Sequence, residues 1–78
     1  MPHVIVKMYP GRSDEQKSAL ADAIATDVAA IAGCRESAVS VAVVEVESAE
    51  WAEAVYRPDI VAQPESLVRP PGYNPFEE

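Results

Sequence analysis

Few residues in this chain could do chemistry. It has one histidine, His3, and one cysteine, Cys34, so a Cys/His metal site or a Cys–His nucleophile lacks the residues to build it. No glycine-rich phosphate loop, nucleophile elbow or HExxH string is present. What remains is Pro2. Methionine aminopeptidases remove an initiator Met before proline, and a chain so processed begins with a free prolyl amine. An α-amino group ionises at about 7.7–8.0, and apolar surroundings or nearby cations lower that value toward neutrality. A base poised near the working pH suits general acid–base catalysis. The same proline also has a plain structural use, as the first residue of a strand, where no ladder N–H is required.

The elements around Pro2 follow from local pattern. Residues 4–9 (VIVKMY) predict a β-branched strand, stopped by Pro10-Gly11. Ser13 predicts an N-cap, with Asp14 and Glu15 in the first turn and Gln16 closing a capping box. Leu20, Ile24, Val28 and Ile31 recur at helical spacing, and Gly33 supplies the stop, giving a helix over 14–32. Residues 38–46 (AVSVAVVEV) predict a second strand, apolar at both parities between Val41 and Val44. Strand, long helix and strand form a βαβ unit, for which parallel strands and a right-handed crossover are expected. Beyond it, Ser48 predicts a cap for a short helix carrying Trp51, Val55 and Tyr56. Pro58, Pro64, Pro70 and Pro71 then break the chain into pieces, one helical around Glu65–Val68, ahead of an irregular tail over 72–78.

The fold class expected is therefore α/β: a single domain with a βαβ core over 2–51 and a Pro-rich extension over 52–78. One helix covers only one face of a two-stranded sheet, so a second copy is needed to complete a two-layer sandwich. Composition points the same way. At 78 residues and 49% apolar, with 13 Ala and 11 Val, the chain holds more apolar surface than one small core can hide. A net charge of −7, from 13 acids against 6 Lys and Arg, argues against nucleic acid as a partner. No apolar run spans a bilayer and no basic amphipathic face suits anionic lipid. The first residues lack a secretory n-region and h-region, which predicts a cytoplasmic location. The acids Glu45, Glu47, Glu50 and Glu53 read as a solvated surface.

Pro2, the apolar strand after it and the string Gly11-Arg12-Ser13-Asp14-Glu15-Gln16-Lys17 resemble the 4-oxalocrotonate tautomerase family. The likeness runs through residues 2–51. Trp51 and the Pro-rich segment ending in Pro71-Gly72-Tyr73 resemble its longer, dimeric para-phenylpyruvate tautomerase-like branch. The resemblance implies a cofactor-free, metal-free tautomerase interconverting enol and keto forms of a 2-oxo acid. Pro2 would be the catalytic proton shuttle, Arg12 would bind the substrate carboxylate, and Trp51 would form an apolar wall. Ser40 falls where the best-known members carry a second substrate-binding arginine. Losing that cation favours a monoacid, such as an arylpyruvate enol, over a dicarboxylate.

Length arithmetic constrains such a site. Seven extended steps from Pro2 to Tyr9 cover roughly 23 Å, and a helix over 14–32 returns about 28 Å. Arg12 and Trp51 thus fall at the opposite end of the sheet from Pro2 of the same chain. Antiparallel packing of two subunits would bring Pro2 of one to Arg12 and Trp51 of the other, and a homodimer rather than a hexamer is expected. On residue type alone, Arg12 reads equally as a solvated loop cation, Trp51 as an interface aromatic and Ser40 as an ordinary strand residue. His3 and Tyr9 share a strand face with Ile5 and Lys7, where they pack or hydrogen-bond, and Cys34 reads as a small buried or half-buried residue, not a nucleophile. Two functional alternatives stay open: a non-catalytic oligomeric binding module, and a hydratase or dehalogenase of the same superfamily. The water-activating carboxylate and extra arginines that the latter needs cannot be placed here.

Overall fold

The computed structural model describes residues 1–77. The chain divides into two units, Met1–Glu45 and Val46–Glu78.

The first unit is the βαβ element. Strand β1 spans His3–Met8, helix α1 Asp14–Ala32 and strand β2 Ser40–Glu45. The strands pair in parallel, from His3 opposite Ser40 to Met8 opposite Glu45. Strand β1 begins and ends one residue before its apolar run, and β2 is shorter than its own. Tyr9 lies beyond the last pairing, and Glu36–Ala38 form a short 3-10 turn where a strand was expected to begin. The helix has the predicted bounds for the predicted reasons. The Ser13 hydroxyl accepts from the Gln16 N–H (3.1 Å), and the Gln16 side chain accepts from the Ser13 N–H (2.8 Å). At the other end Gly33 takes the left-handed conformation (φ 75°) and donates to Ala29 (3.1 Å).

Register sorts the side chains into two faces. Val4, Val6 and Met8 stand with Val41, Val43 and Glu45; His3, Ile5 and Lys7 stand with Ser40, Ala42 and Val44. Helix α1 lies on the first face, because Lys17 reaches Glu45 across 3.7 Å and Leu20, Ile24 and Val28 are half-buried. Ile31, expected on that stripe, is instead 87% exposed. The helix is roughly 8 Å longer than a six-residue strand, so its last turn runs past the sheet. Within this unit nothing covers the second face, and Ile5 (54%) and Val44 (41%) stay exposed. Among the described residues only Val55 and Tyr56 are buried, and neither belongs to the βαβ unit.

The second unit departs further from expectation. The 3-10 turn Ser48–Glu50 is capped in position by Glu47 with no side-chain hydrogen bond, so Ser48 is not the cap. Pro58 does not end the helical run, which continues as a π-helix over Ala52–Val61. Proline breaks an α-helix by deleting a donor and crowding the preceding turn, and the wider π backbone relieves the second penalty. A further 3-10 turn spans Pro64–Ser66, and residues 67–77 hold no regular element.

Candidate active site

Pro2 and Ser40 are brought together by the register of the sheet. The Ser40 N–H donates to the Pro2 carbonyl at 3.1 Å, which anchors the proline just ahead of the first paired residues, His3 and Ser40. Pro2 is half-buried. The Ser40 hydroxyl meets His3 Nδ1 at 2.7 Å, so this one serine holds both the proline backbone and the neighbouring imidazole. The ring lies on the face that α1 leaves open.

Arg12 is not brought to Pro2 within the unit. It follows the other end of β1, beyond about 20 Å of strand. The preceding Gly11 has a φ of 123°, a conformation that glycine alone adopts freely, and it turns the chain from β1 toward α1. Arg12 is exposed, and its guanidinium makes no hydrogen bond or ion pair with a described residue. Its five donors therefore remain available for a planar carboxylate.

Trp51 belongs to the second unit and is half-buried there. Its indole N–H donates to the Tyr73 hydroxyl at 2.9 Å. Tyr73 is in turn held against the buried Tyr56. The rings are 5.4 Å apart, and the Tyr56 hydroxyl donates to the Tyr73 carbonyl at 3.2 Å. Phe76 packs edge-on to Tyr56 at 5.7 Å and lies under the Arg57 guanidinium at 4.5 Å. Arg57 also donates to both carboxylate oxygens of Glu53, at 2.9 and 3.2 Å. Those hydrogen bonds hold the Glu53 carboxyl below its ordinary pKa, and the ion pair adds to the effect. Arg57 is thus committed to structure, whereas Arg12 is not.

Of the candidates the sequence names, Pro2, Ser40, Arg12 and Trp51, the structure gives Ser40 and Trp51 the hydrogen-bond partners His3 and Tyr73. His3 carries no sequence signal for its partner, because Ser40 lies 37 positions away. Tyr73 sat in a tail expected to be irregular, and the one signal for its role was an aromatic pair, Tyr73 and Phe76, within a Pro-rich stretch. Among the described residues no cluster of three or more His, Cys, Asp or Glu is arranged to hold a metal ion. No helix among them is long and apolar enough to cross a membrane.

Comparison with known proteins bears on this arrangement. The family model described as "Tautomerase enzyme" matches residues 2–57. A protein named "Probable tautomerase" from Xylella fastidiosa (strain 9a5c) is 47% identical over 94% of this chain and 89% of its own. "Tautomerase PptA" of Klebsiella pneumoniae subsp. pneumoniae is 43% identical over 95% of this chain and 99% of its own. Among solved structures, "Crystal Structure of YwhB- Homologue of 4-Oxalocrotonate Tautomerase" superposes with a TM-score of 0.63 at 35% identity, covering 69% of this chain and 88% of that one.

Proposed function

The chain belongs to the tautomerase family, and from that premise we propose that it interconverts the enol and keto forms of a 2-oxo acid with Pro2 as general acid and base. In the proposed reaction the neutral prolyl amine takes the proton from the enol hydroxyl. The O–H pair then forms the C2 carbonyl as the C2=C3 double bond donates its electrons outward. The pyrrolidinium returns a proton to C3, which restores the amine and completes the ketone. Atoms and charge balance without an added group.

The observation that carries this reading is the fixed position of Pro2. Its carbonyl is tied to Ser40 at 3.1 Å while its nitrogen, once Met1 is removed, is free to bind a proton. A secondary amine on a rigid ring loses little freedom when it meets its substrate. Arg12 would bind the substrate carboxylate, and it comes from a second copy of the chain because strand length keeps it from Pro2 of its own. Trp51 of that copy would supply the apolar wall that strengthens these electrostatic contacts. The exposure of Ile5 and Val44 on the face that α1 leaves open supports a homodimer, and with Ser40 offering no charge a monoacid such as an arylpyruvate enol fits better than a dicarboxylate.

Processed protein assayed by ultraviolet absorbance against phenylenolpyruvate and 2-hydroxymuconate tests the reading. Turnover of phenylenolpyruvate that falls about 10²-fold or more in Pro2→Ala, with the fold unchanged, is expected. Equal turnover in that variant would remove Pro2 from the mechanism.

A further inference from the structure

We infer that His3 is a substrate-binding residue of the Pro2 site, donating a hydrogen bond from Nε2 to the C2 oxygen of the 2-oxo acid. This rests on the reading that Pro2 moves the proton, and it deepens that reading by naming the group opposite the amine. Three observations carry it. His3 is the residue after Pro2, and its ring stands on the sheet face that α1 does not cover. It is the single histidine of the chain. And its Nδ1 meets the Ser40 hydroxyl at 2.7 Å, a contact that fixes the ring's orientation and in which the proposal has the hydroxyl donate.

That last contact turns a surface imidazole into a directed donor. With Ser40 donating to Nδ1, the neutral ring carries its proton on Nε2, on the edge facing away from Ser40. Ser40 ties the two groups to one anchor, its backbone N–H holding the Pro2 carbonyl at 3.1 Å and its hydroxyl meeting the His3 ring at 2.7 Å. In the proposed pose the amine takes the proton from the C2 hydroxyl and returns it to C3, while the imidazole hydrogen-bonds the C2 oxygen. Negative charge develops on that oxygen during proton transfer, and a donor aimed there lowers the barrier more than it tightens the ground state. Ser40 is then a positioning residue. It acts through His3 and through the Pro2 carbonyl, which its backbone N–H holds at 3.1 Å.

Two amides separate this role from a purely structural one. Glutamine places an amide N–H near the position of Nε2, whereas asparagine mimics Nδ1 and reaches only Ser40. Steady-state kinetics with phenylenolpyruvate should show kcat of His3→Ala reduced by about 10²-fold with little change in KM. His3→Gln should recover much of that loss and His3→Asn should not; Ser40→Ala should lose less than His3→Ala. Recovery by asparagine but not glutamine would overturn the proposal, as would an unchanged kcat in His3→Ala while Pro2→Ala is inactive. A second measurement needs no turnover: the imidazole proton resonances of wild-type His3 are followed by NMR as phenylpyruvate is added. A saturable shift is expected. If the wild-type protein fails to convert the enol but the resonance shifts, the tautomerase reading fails and His3 still binds the acid; a resonance that does not move removes His3 from the site.

Discussion

The βαβ unit and the segment after it solve the problem of a small core in opposite ways. Met1–Glu45 is regular, with paired strands and a fully capped helix, yet its apolar side chains are at most half-buried. Val46–Glu78 is built from 3-10 turns, a π-helix and irregular chain, yet it contains both buried residues, Val55 and Tyr56. Hydrogen bonding and capping therefore do not make a core; apolar area removed from water does. The second unit closes its own core by laying Tyr73 and Phe76 over Tyr56. The first leaves Ile5 and Val44 exposed; in the proposed mechanism a second copy covers that face, and the same pairing brings Arg12 to Pro2.

Placing a charge where Ile5 and Val44 are exposed should break this contrast most severely. Val44→Lys puts an ammonium where the proposed dimer buries apolar surface, at a cost of several kcal/mol and hence a dissociation constant raised by about 10³-fold. Analytical ultracentrifugation should show dimer for the wild type and monomer for the variant, with turnover lost alongside. A monomeric wild type, or a variant that still dimerises, would mean that the face has another use.

The second unit should respond to loss of its own core without help from a partner. Tyr56→Ala removes a buried ring that touches Tyr73 and Phe76, and a loss of about 3–5 kcal/mol is expected from chemical denaturation. Tyr73→Phe keeps the ring but deletes the acceptor for the Trp51 N–H, for about 1 kcal/mol. If Tyr73→Phe raises KM for an arylpyruvate enol while stability barely changes, Trp51 is oriented for substrate rather than for packing.

These differences show what sequence can reveal. Helix α1 was legible to the residue because Ser13, Gln16 and Gly33 act on backbone groups within one turn of themselves. The parallel pairing was legible from the order of elements. The strand ends were not, because Tyr9, Ala38 and Val46 continue the apolar pattern beyond the last backbone pair. Pro58 misled for a related reason: its penalty depends on which helical ladder it enters, and nothing local announces a π-helix. Of the proposed site, Pro2 and Arg12 stood out by type and motif. The hydrogen bond between Ser40 and His3 spans 37 positions, and it follows from register alone.

The smallest expected effect concerns the ion pair on the π-helix. Glu53 is held below its ordinary pKa by the hydrogen bonds from Arg57, so its folded value is depressed relative to the unfolded one. Its contribution is present above the unfolded carboxylate pKa and fades as pH falls through the folded value. Both groups are exposed, so Glu53→Gln should lower the melting temperature slightly at neutral pH and not at all in strong acid. A difference that grows as pH falls would contradict this assignment.

The central claim is that the nitrogen of Pro2 carries the proton. Two preparations of the wild-type chain, one processed and one retaining Met1, are distinguished by intact mass and assayed side by side for ketonisation of phenylenolpyruvate by ultraviolet absorbance. With Met1 in place that nitrogen is a tertiary amide without basicity, so the account predicts turnover in the processed form and a loss of about 10²-fold or more in the other. Equal turnover in the two forms would contradict it.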